Sequence, residues 1–293
     1  MKVVVLSRTP LAAAPWELAK AIQRYTDIDV QLVQERADYQ DGRRFPRGLL
    51  IGEPGAAQAL KQADLWHVHN SLPRMISPTP AIPILAQFHS VPRMSGWQEL
   101  SAVAKMSYAI RQPAQMAEYV GLPTLPNVID PDEYRPDPFR APSPIIVAFA
   151  PTSRAVIGVP CSKGYHEVLG VMRRVLANRQ GKVLFDLIEG APYEQNLARK
   201  RRAHILIDDI ATGSWHRTSL EGACFGCAVI NASSVEPWVH AVPETLLAVI
   251  GKLVDDPAFL SDKQERARAW VLSRWHAMDA AQEYAEAYRR ALE

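Results

Sequence analysis

The stretch AHILIDDIATGSWHRTSLEGACFGCAVI, residues 203–230, determines the fold class of this chain. The apolar run His204 to Ile207 has the length of a buried strand, and a polar loop with Gly213 follows it. Ser219 to Phe225 then predicts a helix, and Ala228 to Ile230 predicts a second strand. A strand, a helix and a strand in this order are typical of a parallel sheet covered by helices.

The same alternation of short apolar runs and amphipathic helices extends outward from this stretch in both directions. Further strands are predicted at Val3 to Leu6, Val30 to Val33, Leu49 to Ile51, Leu65 to Val68, Ile84 to Phe88, Ile145 to Phe149 and Val183 to Ile188. Further helices are predicted at Pro15 to Arg24, Gly164 to Ala177, Glu244 to Val254, Ser261 to Ser273 and Met278 to Leu292. The chain is therefore expected to be α/β throughout.

Seven prolines within residues 123–144 interrupt the alternation, and they exclude a regular element there. A chain of 293 residues with 48% hydrophobic residues can bury two cores of ordinary size. We therefore predict a first domain at 1–140, a second domain at 141–275 and a last helix at 276–293.

The charge and cysteine content exclude several classes of protein. A net charge of +2 gives no global signal for nucleic-acid binding, and the basic run at 199–202 is predicted to be a solvated helix end. Three cysteines argue against a disulfide framework and for a reducing compartment. Cys224 and Cys227 form a C-x-x-C within an apolar passage, which favours core packing over a redox or zinc site. No apolar run is long enough to span a membrane, so a cytoplasmic location, or at most a peripheral one, is expected.

The loops that follow the strands are where a ligand is expected, because open parallel sheets bind ligands beyond the carboxyl ends of their strands. Glu221 is one candidate, since a carboxylate near a helix start can accept two hydrogen bonds from a ribose diol. The alternative is a glutamate that only favours the helix dipole. Arg154 and Lys163 precede the predicted helix at Gly164, and two cations with a helix start make an anion site. The alternative for each of them is a surface cation.

Histidines mark the strand ends of the first domain. His67, His69 and Asn70 lie at the end of one predicted strand, and His89 follows the next. Each histidine could instead anchor a loop through a hydrogen bond. A metal site at His67 and His69 lacks a clear third ligand.

Residues 219–230 resemble the signature LEAMACGxPVI, which binds the donor in retaining glycosyltransferases of the GT-B fold, as in glycosyltransferase family 4. The resemblance implies two Rossmann-like domains facing a central cleft, with the last helix crossing back to the first domain. It implies donor binding by Ser219, Leu220 and Glu221, with Glu221 on the ribose. Gly213 stands where many relatives carry a glutamate that touches the donor sugar, within a stretch that fits the variant pattern D-Q-x-x-x-G-x-Y-G.

Two further segments support the resemblance. The segment from Pro151 to Gly164 is similar to the family's PT-x-R…KG element, which implies that Arg154 and Lys163 hold the diphosphate. Residues 63–70 and 84–90 are similar to the family's DVVHVHN and xxTxHG elements. They imply a catalytic His89 on the acceptor side, with His67, His69 and Asn70 close to the acceptor.

The resemblance implies transfer of a sugar from a nucleoside-diphosphate sugar, with retention and without a metal or other cofactor. The nucleotide-sugar donor is the expected partner, and the acceptor is left open. Three alternatives of the same fold remain: an epimerase or phosphorylase, a non-catalytic nucleotide-sugar-binding scaffold, and a glycosyltransferase whose acceptor is a polymer such as modified DNA. Scattered basic residues suggest the polymer, and they include Arg43, Arg44, Arg47, Arg74 and Arg93.

Overall fold

The computed structural model describes residues 1–39, 44–158 and 162–293, so Arg43 and Cys161 lie outside the described residues. The chain divides into two compact units. Unit 1 comprises Met1–Asp130 and Trp275–Glu293, and unit 2 comprises Pro131–Arg274. The predicted class, α/β with two parallel sheets, is confirmed.

The proline-rich segment belongs to unit 2 beyond residue 130, ten residues before the predicted boundary. Its side chains explain this assignment. The Arg140 guanidinium donates to the carbonyl oxygens of Gly226, at 2.9 Å, and Phe225. The Tyr134 hydroxyl lies 2.6 Å from the Tyr193 hydroxyl.

Unit 1 is built on a seven-stranded parallel sheet in the order β3-β2-β1-β4-β5-β6-β7. Its strands are β1 (Lys2–Ser7), β2 (Asp29–Gln34), β3 (Leu49–Leu50), β4 (Leu65–His69), β5 (Ile84–Phe88), β6 (Met106–Ile110) and β7 (Thr124–Leu125). Its helices are α1 (Ala14–Tyr25), α2 (Pro54–Gln62), α3 (Trp97–Val103), α4 (Pro113–Glu118) and, from the carboxyl end of the chain, α10 (Ala277–Leu292).

The central strands of unit 1 are buried on both faces, which is why they are continuous apolar runs in the sequence. On one face, alternate residues such as Val5 and Leu85 pack with α1 and with Tyr284 and Tyr288 of α10. The residues that lie between them along each strand, such as Leu6, pack on the opposite face in a second cluster. The last helix of the chain is thus part of the core of unit 1.

Unit 2 is built on a five-stranded parallel sheet in the order β12-β11-β10-β8-β9. Its strands are β8 (Ile145–Phe149), β9 (Val183–Leu187), β10 (Ile205–Ile207), β11 (Ala228–Asn231) and β12 (Val239–His240). Its helices are α5 (Tyr165–Asn178), α6 (Tyr193–Arg202), α7 (Arg217–Cys224), α8 (Leu246–Asp255) and α9 (Pro257–Arg274). Within the described ranges, no helix is long and apolar enough to cross a membrane.

Candidate functional site

The strand order of unit 2 locates its ligand crevice. Strand β8 lies between β9 and β10, so the chain continues first to one side of β8 and then to the other. In open parallel sheets, ligands bind outside the carboxyl ends of the strands at such a reversal of order. Arg154 follows β8 at this point, and Asp208 and Asp209 directly follow β10.

Asp208 connects the segments that contain the candidate donor-binding residues. One carboxylate oxygen forms an ion pair with the ammonium group of Lys163, which precedes α5. The other accepts hydrogen bonds from the His216 backbone N–H and the Ser219 hydroxyl, both at 2.7 Å. The Asn231 side chain donates in turn to the Ser219 oxygen at 3.0 Å. Lys163 and Ser219, which are 56 residues apart in sequence, therefore share one buried carboxylate.

The charge state of Asp208 follows from these contacts. Burial alone would raise the pKa of Asp208, but Lys163, His216 and the hydrogen bonds from Lys163 and Ser219 together hold this pKa below its usual range. Asp208 is fully buried and Lys163 is 4% exposed. A carboxylate this deep is ionised only because a cation and hydrogen-bond donors surround it.

Asp209 organises the loop between β10 and α7. Its Oδ1 accepts from the backbone N–H of Ala211, at 2.8 Å, and of Thr212, at 3.1 Å. Its Oδ2 lies 3.2 Å from Nε2 of His216, whose pKa is lowered mainly by burial. The buried carboxylates of Asp208 and Asp209 thus hold the loop and the start of α7 in place through hydrogen bonds.

The start of α5 offers backbone donors. Gly164 precedes the helix with a φ of +77°, and no described side chain caps the helix. A Cβ atom at Gly164 would come within 2.5 Å of Ile210, so glycine is required for both reasons. Uncapped N–H groups beside a lysine are the parts of an anion site.

Arg154 is the exposed cation of this region. Its side chain is 72% exposed, and its guanidinium contacts the Glu189 carboxylate at 2.8 Å and 3.2 Å. Hydrogen bonding to Glu189 raises the pKa of Arg154 further above its usual value. The loop is tied to α5, because His166 Nε2 lies 3.0 Å from the Arg154 carbonyl oxygen.

Glu221 is enclosed by two cations. Its Oε2 lies 2.6 Å from Nζ of Lys200, and its Oε1 lies 3.1 Å from Nε of Arg217. All three side chains are at least nine-tenths buried. Arg217 also donates to the Tyr134 hydroxyl at 3.1 Å. Both oxygens expected to bind a ribose diol therefore already accept from protein groups.

This cluster corrects the prediction that residues 199–202 form a solvated helix end. Lys200 is only 5% exposed because α6 packs against α7 and brings it to Glu221. Arg199 is half-buried and forms an ion pair with Asp186. The other two residues of the run, Arg201 and Arg202, are exposed.

The remaining residues of the signature differ in their access to a ligand. Gly213 is exposed with a φ of +70°, and its Cβ position has no described atom within 4 Å. Leu220 is fully buried in the core and presents no side chain to a donor. Cys224 and Cys227 are buried, and burial raises the pKa of Cys227 to about 11, as expected for a packing residue.

In unit 1 the strand order reverses between β1 and β4. Ser7 of β1 and His69 of β4 are register partners there, and Asn70 follows with a φ of +62°. After β1, Leu11, Ala12 and Ala13 have φ values of +47°, +53° and +68°. Residues with a Cβ atom rarely adopt this left-handed backbone conformation, and such strain is concentrated at functional sites. The sequence contained no glycine or turn motif that would have indicated it.

The three histidines of unit 1 form a row that leads inward from the strand ends. His89 is half-buried, and its Nε2 lies 2.7 Å from Nδ1 of His69. The rings of His69 and His67 follow with centroids 4.4 Å apart. His67 ends the row, with Nδ1 2.9 Å from the Tyr288 hydroxyl.

Only His89 of this row is accessible. His67 and His69 are 0% and 1% exposed, so neither side chain is placed to touch an acceptor. Burial is the largest of the effects that lower the pKa of His67 to about 3, and it also lowers the pKa of His69. Asn70 instead holds His89, because its Oδ1 accepts from the His89 backbone N–H at 2.7 Å.

Comparison with known proteins identifies this fold. No protein-family model and no curated protein sequence matches the chain. An α-glucosyltransferase in complex with UDP and a 13-mer DNA has a TM-score of 0.70 at 9% identity, with 100% of both chains covered. HepE from Anabaena in complex with UDP-glucose has a TM-score of 0.67 at 12% identity, covering 99% of this chain and 100% of the other.

Sucrose-phosphate synthase from Thermosynechococcus elongatus has a TM-score of 0.65 at 13% identity, with 99% of both chains covered. UDP-GlcNAc 2-epimerase from Neisseria meningitidis bound to UDP-GlcNAc is less similar, with a TM-score of 0.54 at 11% identity and coverage of 99% and 100%. The chain has the GT-B fold, and its structural neighbours include an α-glucosyltransferase bound to UDP and a protein bound to UDP-glucose. At these identities the similarity shows the fold.

Proposed function

We propose that this protein is a glycosyltransferase that binds a nucleoside-diphosphate sugar at the carboxyl edge of the sheet of unit 2. The observation that carries the proposal is the meeting of Lys163 and Ser219 on Asp208, beside the uncapped start of α5 and at the reversal of strand order. Ligands of open α/β sheets bind at this position. An anionic diphosphate suits a helix start with neighbouring cations.

The proposed roles follow from the positions of the side chains. Lys163, Arg154 and the N–H groups of α5 would stabilise the negative charge that develops on the diphosphate as the anomeric C–O bond breaks. Glu221 would accept from the ribose through the lone pairs of its carboxylate that the bonds with Lys200 and Arg217 leave available. We assign the donor to unit 2 and the acceptor to unit 1, with His89 at the acceptor hydroxyl.

In the proposed reaction, the acceptor oxygen forms a bond to the anomeric carbon with retention of configuration. The nucleoside diphosphate leaves, and one of its phosphate oxygens receives the acceptor proton. No step is assigned to a metal ion or to a further cofactor. Retention and metal independence rest on the resemblance of residues 219–230 to the family signature.

Thermal unfolding in the presence of nucleotide sugars tests donor binding, since a ligand that binds only the folded state raises the unfolding midpoint. Arg154→Ala should lose most of the shift given by the preferred donor. Arg266→Ala is the matched control, because Arg266 is also an exposed arginine paired with a glutamate, at 2.7 Å from Glu236, but on α9. Equal loss in both variants, or no shift with any donor, would contradict the proposed site.

Product analysis then separates the reactions that share this fold. A glycosyltransferase releases the nucleoside diphosphate only in step with formation of a glycosylated acceptor. An epimerase converts the donor sugar without any acceptor. A scaffold binds the donor and leaves it unchanged over a panel of acceptors.

A polymer such as DNA is a second candidate acceptor, favoured by the arginines beyond the carboxyl ends of the strands of unit 1. The described loops and short turns there contain Arg8, Arg36, Arg44, Arg47, Arg74, Arg93 and Arg111. Four of these arginines form ion pairs, which are Arg8–Glu35, Arg47–Glu53, Arg93–Glu118 and Arg111–Glu283. One structural neighbour, the α-glucosyltransferase, was solved with DNA. Phosphates of a polyanion attract such a surface with strong salt dependence.

Fluorescence anisotropy of labelled duplex DNA tests this candidate. Arg44→Ala and Arg74→Ala should weaken binding and lower its salt dependence. Lys61→Ala is the matched control, because Lys61 is an exposed cation at the end of α2, which leads to the amino end of β4. Equal binding by all three variants would exclude DNA at this surface.

A further inference from the structure

His69 lies directly behind His89 and contacts it through a ring nitrogen. Nδ1 of His69 is 2.7 Å from Nε2 of His89, and the two rings are stacked with centroids 4.8 Å apart. His69 is 1% exposed, while His89 is half-buried. At this distance one of the two nitrogens donates a proton and the other accepts it.

The backbone of His89 is fixed on both sides. The Asn70 side chain accepts from the His89 N–H at 2.7 Å, and the Gln115 side chain donates to the His89 carbonyl oxygen at 3.0 Å. The side chain of Asn70 also binds Ser90, with its Nδ2 3.0 Å from the hydroxyl oxygen. The contact with His69 therefore joins two rings whose backbones are held in place.

The surroundings of His69 favour one position for its proton. Its burial makes the neutral ring the stable form, so the ring carries one N–H. Ser7 and Gln87 are its register partners on the neighbouring strands, on the same face of the sheet. Ser7 Oγ, Gln87 Oε1 and the Nε2 atoms of His67 and His69 are buried and have no hydrogen-bond partner within the described part of the chain.

Two of those four atoms have acceptor capacity, and the two histidine nitrogens can supply one donor to each of them. The Gln87 amide nitrogen already donates to the Tyr284 hydroxyl at 2.6 Å, which leaves Oε1 as an acceptor. The Ser7 oxygen can accept as well. A proton on Nε2 of His69 is a donor to these buried acceptor atoms, and it leaves Nδ1 of His69 as the acceptor towards His89.

We infer that His69 is a positioning residue, which accepts a hydrogen bond from Nε2–H of His89 and so keeps Nδ1 of His89 unprotonated for the hydroxyl of the acceptor. The inference rests on the proposed function for its catalytic consequence. A histidine whose tautomer is fixed by the bond at its other nitrogen can accept a hydrogen bond from the acceptor hydroxyl and so orient that hydroxyl. The tautomer itself is a property of the protein without substrate.

Nitrogen chemical shifts of ¹⁵N-histidine-labelled protein test the tautomer. In the wild type, His89 should show the Nε2–H form, and His69→Leu should give a mixture of both forms. His69→Asn should preserve the wild-type form, because the Asn Oδ1 can occupy the position of Nδ1 and accept. His67→Asn is the matched control and should leave the His89 tautomer unchanged, since His67 is as buried as His69 but its Nδ1 contacts Tyr288 rather than His89.

Steady-state kinetics test the consequence. A small misplacement of a reacting group can cost about 10²-fold in rate, so His69→Leu, which removes the partner that orients His89, should lower kcat at least tenfold, with KM for the donor unchanged. His69→Asn should recover most of kcat. An unchanged His89 tautomer in folded His69→Leu would overturn the inference, and so would equal losses of kcat in both His69 variants. Absence of transfer by the wild type would instead refute the proposed function, while the tautomer measurement would still decide the inference.

Discussion

Replacement of Lys163 by methionine should destabilise the protein as well as impair donor binding. The side chains of the ion pair, Lys163 and Asp208, are 5% and 0% exposed. Removing one partner of a buried pair leaves an uncompensated charge, at a cost of about 3–5 kcal/mol. For a domain of this size, about 2–4 °C per kcal/mol gives a lower unfolding midpoint by roughly 6–20 °C.

The pH dependence should reverse in this variant. In the wild type the pKa of Asp208 is lowered, so its contribution to stability is present above the ordinary aspartate pKa and is lost as the pH falls through the lower folded value. Without Lys163, burial should raise the pKa of Asp208 above its ordinary value. The difference in stability between the Lys163→Met variant and the wild type should therefore become smaller as the pH falls from 7 to 5.

A double-mutant cycle separates the two roles of Lys163. Asp208→Asn combined with Lys163→Met removes both charges and should recover at least half of the lost stability. The double variant should still bind donor roughly ten- to a hundredfold more weakly, from about 1.5–3 kcal/mol for a hydrogen bond to a charged group. Asp208→Asn alone, which keeps the lysine, should bind donor more tightly than the double variant.

Circular dichroism melts at pH 7 and pH 5 and calorimetric donor titration at low temperature make these measurements. Wild-type stability in Lys163→Met would refute the buried ion pair as a stabilising feature. Wild-type donor affinity in the folded double variant would show that Lys163 serves only Asp208. The proposed diphosphate contact would then be wrong.

Four further predictions follow from the site and its surroundings. Transfer should survive EDTA, and loss of activity that Mn²⁺ or Mg²⁺ restores would count against a donor site without metal. Stability should fall as the pH drops from about 6.5 towards 3, by up to ~1.4 kcal/mol per pH unit for each buried neutral histidine; since His67 has a pKa of about 3, His67→Leu should flatten urea-unfolding free energies over this range. Gly164→Ala should lower the unfolding midpoint, because its φ of +77° and the 2.5 Å approach to Ile210 both oppose a Cβ atom; an unchanged midpoint would contradict this conformation at the start of α5. Glu221→Gln should weaken donor binding roughly ten- to a hundredfold, from about 1.5–3 kcal/mol for hydrogen bonds to a charged group, and a calorimetric titration with a 2′-deoxy donor should show little further loss.

The sequence predicted the fold well where strands are buried on both faces. The runs at Val3 to Leu6, Leu65 to Val68 and Ile84 to Phe88 all lie within observed central strands of unit 1. The edge strand β3 has only two residues but lies within the predicted apolar run Leu49 to Ile51, whereas β7 and β12, with two residues each, were not predicted because so short a run carries no periodicity. They form because a neighbouring strand offers a partner, which is a tertiary effect.

The site was predictable in its residue types and less so in its contacts. The pair of Arg217 with Glu221 has the i, i+4 spacing of facing side chains on a helix and could have been inferred from the sequence. The third member, Lys200, could not, because its neighbour in space is 21 residues away. Asp208 has a strand-end position that indicates a role at the crevice, but nothing in the sequence indicates Lys163 as its partner.

The balance of charge in unit 2 gives Arg154 more weight than its exposure suggests. Lys163 has one positive charge against the two carboxylates of Asp208 and Asp209, whereas Glu221 has one negative charge against Lys200 and Arg217. A donor with its ribose at Glu221 and its phosphates near Lys163 would place the neutral ribose at the surplus of positive charge and the anionic phosphates at the surplus of negative charge. The N–H groups of α5 and the guanidinium of Arg154 must then offset the charge of the phosphates. The ion pair of Arg154 with Glu189 is exposed to solvent, and exposed ion pairs contribute little to stability. A diphosphate can therefore replace Glu189 at little cost, so Arg154 should contribute to donor affinity at least as much as the buried Lys163.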